Sequence, residues 1–217
     1  MIEFMSSLFK EILDSSNPHD IEKVSNEYLE DEAKRREEFH KTMGDEKVEF
    51  IEGEIILSGP EYNKHSIIFM NLTMVFGQYL RKVKLGHVYG QKIMVSLKRN
   101  DFCPDLSFFR KEVSDTFVDD TLLFPCPDFV VEILSDFTEE RDRGIKFVDY
   151  ALNGVKEYWI VDPDKKIVEQ YFLEGEVFAL AEKISHATVK CGQIKGLEIP
   201  LEAIFDETAN DEFLSKM

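Results

Sequence analysis

Cysteine is scarce in this chain of 217 residues, and long apolar runs are missing. The three cysteines, Cys103, Cys126 and Cys191, are odd in number and form no Cys-x-x-Cys pair, which argues against a disulfide framework. No apolar run approaches the ~20 residues that a membrane-spanning helix needs, and the first residues lack a signal-peptide pattern. We therefore expect a cytoplasmic protein with reduced thiols and no membrane contact.

Basic residues are also in the minority. Lysine and arginine total 26 against 43 aspartates and glutamates, which gives a formal net charge of −17. Nucleic-acid-binding surfaces are usually basic, so this charge argues against tight binding of DNA over a broad surface. Basic clusters occur around Arg81, Lys98 and Arg110, but such clusters are more often solvated helix ends and turns than a track for phosphates.

The N-terminal part of the chain predicts two helices. Apolar residues recur at helical spacing over residues 2–13, and Asn17-Pro18 is typical of the start of a second helix that continues to about Met43 and ends at Gly44. The second helix has few apolar positions, which is typical of a solvated arm or a partner-binding element. We predict that residues 1–47 form a helical extension, and that its helices pack against a second subunit in a homodimer.

The remaining residues, 48–217, predict one α/β domain. The predicted elements are a hairpin over 48–57, a helix over 62–84, strands over 87–97 and 102–109, a strand over 129–134, a helix over 142–150, strands over 157–161, 167–173 and 177–181, and a short helix over 201–205. This order predicts a sandwich in which helices flank a mixed central sheet.

One strand of this domain contains an unexpected charge. Phe129 to Leu134 is a short apolar run rich in β-branched residues, which predicts a strand buried on both faces, yet Glu132 lies in its middle. A buried carboxylate costs several kcal/mol unless it is compensated. On the following helix, Asp142, Lys146 and Tyr150 are spaced four residues apart and share one face. Asp105 opens the preceding strand, so the parts needed to bind a divalent metal and orient a water are present.

These residues form an ordered set of motifs that resembles the Uma-type restriction endonucleases of the PD-(D/E)XK nuclease superfamily. The resemblance extends over roughly residues 48–205. Its motifs are Pro104-Asp105, then Asp128 with Val131 to Ser135, then Asp142, Lys146 and Tyr150, then Gly154 and Glu157 to Pro163. It implies a restriction-endonuclease-like fold and a nuclease that uses Mg²⁺ or Mn²⁺ and acts on nucleic acid, in the first instance DNA.

The resemblance also implies roles for single residues. Asp105 and Glu132 would bind the metal, with the main-chain carbonyl of Ile133 as a further ligand. The superfamily places a lysine two residues after the strand glutamate, but position 134 is Leu. The lysine that orients water or neutralises charge would therefore be Lys146, on the following helix.

Four supporting residues complete the predicted site. Glu54, on the hairpin, and His65, on the first helix of the domain, would add a contact or a further ligand. Asp142 and Tyr150 would hold Lys146 in place by hydrogen bonds.

Two other classes of function remain open. Each residue taken singly has a structural explanation; for example, Glu132 and Lys146 would satisfy each other as a buried ion pair without any catalysis. The chain is then a catalytically inactive nuclease-fold protein that serves for binding or scaffolding. Alternatively, it is a metal-dependent hydrolase that acts on RNA or a small phosphate ester.

Overall fold

A computed structural model describes residues 18–44 and 46–217. The helix predicted over residues 2–13 lies outside the described residues. Within them, no helix is long and apolar enough to cross a membrane.

Thirteen strands and seven helices follow one another along the described residues. The strands are β1 Val48–Ile51, β2 Glu54–Leu57, β3 Gly86–Gly90, β4 Met94–Ser96, β5 Asp101–Phe102, β6 Leu106–Arg110, β7 Leu123–Phe124, β8 Phe129–Ile133, β9 Glu157–Asp162, β10 Ile167–Glu174, β11 Val177–Ile184, β12 Thr188–Lys190 and β13 Glu198–Pro200. The helices are α1 Pro18–Thr42, α2 Asn63–Val83, α3 Lys111–Ser114, α4 Glu139–Arg143, α5 Ile145–Leu152, α6 Glu202–Phe205 and α7 Glu207–Lys216.

The large sheet has six strands in the order β11-β10-β9-β8-β6-β3. Its central pair, β8 and β9, is parallel, and the other neighbours are antiparallel. A smaller sheet has the order β2-β1-β5-β4-β7, and β12 pairs with β13 as a separate two-stranded ladder. This architecture confirms the predicted mixed α/β sandwich.

The central strand β8 is buried on both faces, as its apolar sequence predicts. Phe129, Val131 and Ile133 join a core with the apolar side of α2. Because side chains alternate along a strand, Val130 points to the other face, where a second core includes Tyr150 of α5. Glu132 shares that second face, so its carboxylate points towards α5 rather than α2.

The structure departs from the predicted elements in several places. The strand predicted over 87–97 is divided into β3 and β4, and the strand predicted over 102–109 is divided into β5 and β6. The predicted helix over 142–150 is interrupted at Gly144, whose φ of −106° and ψ of −105° lie outside the helical region. A final helix, α7, was not predicted because its apolar residues are few.

The helix α1 is fixed to the domain at its C-terminal half. Phe39 packs in a small core with Phe50. Arg36 donates hydrogen bonds to both carboxylate oxygens of Asp101, which is fully buried, and His40 lies 2.8 Å from the same carboxylate. The last turns of α1 therefore contribute to the domain core, and the boundary between residues 47 and 48 stays a prediction.

The helices α4 and α5 are anchored to the large sheet by Glu169 of β10. Its carboxylate accepts hydrogen bonds from Arg143, at the end of α4, and from Lys183 and Tyr171. Burial alone would raise the pKa of Glu169, but these donors outweigh it and lower the pKa to about 2.

We predict that Glu169→Gln reduces the free energy of unfolding at pH 7 by about 1–2 kcal/mol, because charge-assisted hydrogen bonds become neutral ones. The folded pKa lies below the unfolded value of about 4.3. The stabilisation is therefore present above about pH 4.3 and is lost as the pH falls towards 2. Urea titrations at several pH values measure this, with Glu176→Gln in the exposed β10–β11 turn as the control. A deficit that stays constant down to pH 3 would contradict the assignment.

Candidate active site

Asp105 lies immediately before β6, where the edge strand β3 approaches it closely. The amide of Gln91 donates to the main-chain carbonyl of Asp105 at 3.1 Å. A Cβ atom at Gly90 would lie 2.6 Å from that carbonyl oxygen, so only glycine allows this approach. The backbone around Asp105 is thereby held in one position.

Asp105 and Glu132 are joined by two reciprocal hydrogen bonds between β6 and β8. The amide of Ile133 donates to Oδ2 of Asp105 at 2.8 Å, and the amide of Asp105 donates to Oε2 of Glu132 at 3.3 Å. Both carboxylates are buried, with 6% and 2% of the residue exposed. The two side chains predicted from separate strands therefore converge on one point.

Lys146 is surrounded by three carboxylates. Its Nζ lies 3.0 Å from Oε1 of Glu49, 3.1 Å from Oε1 of Glu132 and 3.1 Å from Oδ1 of Asp142. Tyr150 donates its hydroxyl to the same Oε1 of Glu132 at 3.0 Å. Lys146 thus connects β1, β8 and α4 at a point from which water is almost excluded.

The charges of this group follow from its surroundings. Burial by itself would lower the pKa of Lys146, but the carboxylates of Asp142, Glu132 and Glu49 outweigh it and hold the pKa well above its usual value. Burial raises the pKa of Glu132 to about 8; Lys146 opposes this shift, and the neighbouring carboxylates add to it. Lys146 is therefore an ammonium at neutral pH, and it cannot accept a proton.

Asp105 has the opposite titration behaviour. Burial would raise its pKa, but His65, Lys47 and the amide of Ile133 lower it to about 2. His65 Nε2 lies 3.1 Å from Oδ2 of Asp105, and Lys47 Nζ lies 3.4 Å from Oδ1. The site therefore holds one carboxyl group that is ionised throughout the neutral range and one that retains a proton more readily.

A second acidic group, Glu61, approaches Asp105 from the segment just before α2. Ligand atoms of Glu61, His65 and Asp105 all lie within 4.8 Å of one another. Nδ1 of His65 is 3.4 Å from Oε2 of Glu61, yet this buried nitrogen has no hydrogen-bond partner among the described residues. In the neutral form of the imidazole this nitrogen is able to bind a metal, whereas in the protonated form it is not.

The cleft between these groups fits a small divalent cation. Its volume is about 30 Å³, and because a single water needs ~10–15 Å³ on this measure, an ion and a coordinated water have room. Carboxylate oxygens are the ligands that Mg²⁺ and Mn²⁺ prefer. Among the described residues in and around the cleft, carboxyl groups outnumber permanent cations. The carboxyl groups are those of Glu49, Glu61, Asp105, Glu132 and Asp142, and the permanent cations are Lys47, Arg141 and Lys146. Because Glu132 retains a proton more readily than a free carboxyl group, a divalent cation bound here would compete with that proton.

Comparison with known proteins agrees with this geometry. Residues 36–192, more than half of the chain, match the sequence model of the Uma2 family, described as "Putative restriction endonuclease". The chain belongs to the Uma2 family. This family has the restriction-endonuclease-like fold, so the resemblance noted in the sequence is confirmed.

Two individual proteins are similar to this Uma2 chain. The uncharacterized protein slr1290 of Synechocystis sp. is 32% identical over 151 residues, which span 67% of this chain and 71% of that protein. A crystal structure of "a putative nuclease belonging to DUF820" from Anabaena variabilis ATCC 29413 superposes with a TM-score of 0.69 at 20% sequence identity, covering 80% of this chain and 97% of the other. At that identity the second likeness concerns the fold alone.

The structure brings most of the predicted Uma2 site residues together. Asp105, Glu132, Lys146, His65, Asp142 and Tyr150 form one contiguous group. Ile133 contributes its main-chain amide to Asp105. Glu54 is not in this group. It is exposed at the start of β2, directly after the Glu52-Gly53 turn and opposite Ile51, and it does not line the cleft.

Three residues of the site were missed in the sequence. Glu49 of β1 supplies the hairpin carboxylate that was expected from Glu54, and Lys47 and Glu61 flank the cleft. The pattern at Glu49 was informative, because this carboxylate lies between Val48 and Phe50 in a strand, just as Glu132 lies between apolar residues. Lys47 and Glu61 have polar neighbours in the sequence, so no local pattern distinguishes them. Only the tertiary fold brings them to the cleft.

We predict that Lys146→Met reduces the free energy of unfolding by about 3–5 kcal/mol, because it leaves buried carboxylates without their cation. Urea denaturation at pH 7 measures the loss. Lys156→Met provides the control, because Lys156 pairs with Asp128 but is about half exposed, and it should cost about 1 kcal/mol or less. Equal losses in the two variants would show that the Lys146 group contributes no more than a surface ion pair.

Proposed function

We propose that this Uma2 protein is a divalent-metal-dependent nuclease that hydrolyses phosphodiester bonds, with DNA as its substrate. The observation that carries the proposal is the convergence of Asp105 and Glu132 with a buried, permanently charged Lys146 in one cleft. Family membership supports the reaction class. The choice of Mg²⁺ or Mn²⁺ as the metal and of DNA as the nucleic acid is part of the proposal.

Asp105 and Glu132, with the main-chain carbonyl of Ile133, would hold Mg²⁺ or Mn²⁺, and Glu61 extends the available donor set. When bound, the metal supplies Lewis-acid polarisation of the phosphate and lowers the pKa of a coordinated water. The reciprocal hydrogen bonds between Asp105 and the Ile133–Glu132 segment fix the two carboxylates before any ligand arrives. Such preorganisation reduces the cost of reorganisation during the reaction.

Lys146 acts through its charge rather than through proton transfer. Its pKa is held far above neutrality, so it stays an ammonium throughout. It hydrogen-bonds to Oε1 of Glu132, which fixes the orientation of that carboxylate, and its charge stabilises negative charge that develops on the phosphate. Tyr150 reinforces the same oxygen from the next turn of the helix.

His65 positions Asp105. Burial would lower the pKa of His65, but the hydrogen bond and the charge of Asp105, with Glu61, outweigh burial and raise it. The imidazole therefore carries a positive charge more readily than a free histidine. In this state it keeps Asp105 ionised and holds its Oδ2 in place.

Calorimetric titration of Mn²⁺ into the purified protein tests the metal site. Wild type should bind, and Glu132→Gln and Glu49→Gln should weaken binding by about tenfold or more, in line with the effect of losing a ligand or its supporting hydrogen bonds. Glu54→Gln should bind as wild type does, because Glu54 lies outside the cleft although it belongs to the same hairpin. If Glu54→Gln were the damaging variant, our assignment of the hairpin carboxylate would be wrong.

Cleavage of DNA, RNA and a small phosphodiester in the presence of Mn²⁺ then tests the reaction. Asp105→Asn should abolish any divalent-dependent cleavage, and Glu176→Gln should leave it unchanged. Metal binding without cleavage of any of these substrates would favour the scaffolding alternative, in which Lys146 and its three carboxylates serve packing alone. Cleavage of RNA or of the small ester only would replace DNA as the substrate.

We also propose that the protein is a homodimer, in which α1 contributes to the contact between the subunits. The acidic helix α1 exposes most of its surface, including Leu29, and offers area for a partner. Light scattering at working concentration should give about twice the mass of the chain. A mass equal to that of one chain would contradict the homodimer without affecting the proposed chemistry.

A further inference from the structure

Two large aromatic side chains are exposed beside the cleft. Phe137 lines the same cleft as Asp105 and Glu132, and 54% of the residue is exposed. Tyr62, next to the cleft residue Glu61, is 47% exposed. Their ring centroids are 6.4 Å apart and their planes are inclined by 21°, so the two rings form a nearly parallel pair. We call these two side chains the aromatic pair.

The backbone holds Phe137 in its exposed position. Ser135 and Thr138 close the turn around it, through a hydroxyl–hydroxyl contact of 3.1 Å and a main-chain bond from the Thr138 amide to the Ser135 carbonyl. The amide of Glu139, which begins α4, donates to the same carbonyl. The core clusters of buried residues do not include Phe137, so its ring forgoes part of the stabilisation that burial would give. Its ring is therefore accessible to a ligand at the cleft.

The surroundings of the aromatic pair favour a flat, π-bonded ligand over a chain of phosphates. Lys64 lies over the Tyr62 ring, 5.6 Å from its centroid, but it is already paired with Asp164. The nearby Glu61 and Asp136 are acidic. Phosphate contacts, which normally supply most of the affinity for nucleic acid, are therefore few here. Stacking on aromatic rings is the alternative source of affinity, and it accepts any base.

From these contacts we infer that the aromatic pair stacks an unpaired nucleobase beside the phosphodiester that lies in the cleft. The inference rests on the proposed nuclease function and narrows its substrate to nucleic acid that is single-stranded at the cleavage point. In a duplex both faces of a base are covered by its neighbours, so a paired base reaches the aromatic pair only after unfavourable unstacking. An unpaired nucleotide has no such barrier.

Binding without turnover tests the inference. Fluorescence anisotropy is measured in EDTA with a labelled oligothymidylate single strand, the same strand annealed to its complement, and a strand that carries abasic sites. Wild type should prefer the thymidylate strand to both others. Phe137→Leu, which remains apolar but cannot stack, should weaken binding of the thymidylate strand about tenfold or more and leave the abasic strand unaffected. Phe137→Trp should restore binding.

Leu180→Ala provides the matched control, because Leu180 is equally exposed, at 54%, but lies on β11 away from the cleft. It should bind all three ligands as wild type does. The inference is overturned if the single strand does not bind, if the duplex binds more tightly, or if Phe137→Leu weakens the abasic strand as much as the thymidylate strand.

The binding assay and the cleavage assay test the stacking site and the nuclease activity separately. Single-strand binding that depends on Phe137, together with no cleavage of any substrate, would retain the base-stacking site and remove the nuclease. Metal-dependent cleavage that is equal for wild type and Phe137→Leu on single strands, with unchanged binding, would retain the nuclease and remove the stacking site.

Discussion

The ammonium of Lys146 is the interaction on which the rest of the site depends. It contacts Glu49 of the small sheet, Glu132 of the large sheet and Asp142 of α4, so three separate layers meet at one charge. Replacing such a buried group by apolar side chains often preserves or increases stability. Such a group disfavours arrangements of hairpin, sheet and helix that would leave the buried ammonium without its carboxylates, because an uncompensated buried charge is strongly destabilising.

The same arrangement gives the two central carboxyl groups different proton affinities. Asp105 faces His65 and Lys47 and has a pKa lowered to about 2, whereas Glu132 lies among other carboxylates and has a pKa raised to about 8 by burial. The two carboxyl groups are joined by backbone hydrogen bonds. Their pKa values differ because the charged side chains around them differ. Environments that drive paired titratable groups apart are characteristic of functional sites, although structural ion-pair networks do so as well.

The sequence predicted those parts of the site that local patterns encode. Glu132 was recognisable because a charge interrupts a buried strand, and Lys146 because its spacing from Asp142 places both on one helical face, a contact that persists despite the break at Gly144. Lys47 and Glu61 could not be predicted, because their roles arise only when the hairpin and α2 approach Asp105. The exposure of Phe137 could not be predicted either, because phenylalanine is usually buried.

The position of the lysine links the geometry of the candidate site to the packing of the helices. The superfamily position for this residue, 134, is occupied by a leucine that is buried in the core together with Tyr150. A lysine there would replace an apolar side chain of this cluster, and burying its ammonium among apolar side chains costs several kcal/mol. Supplied from α5 instead, the charge reaches Glu132 only while α4 and α5 keep their place on the sheet, which the ion pair between Arg143 and Glu169 secures. A change that displaces these helices from the sheet would therefore also move the ammonium of Lys146 away from Glu132.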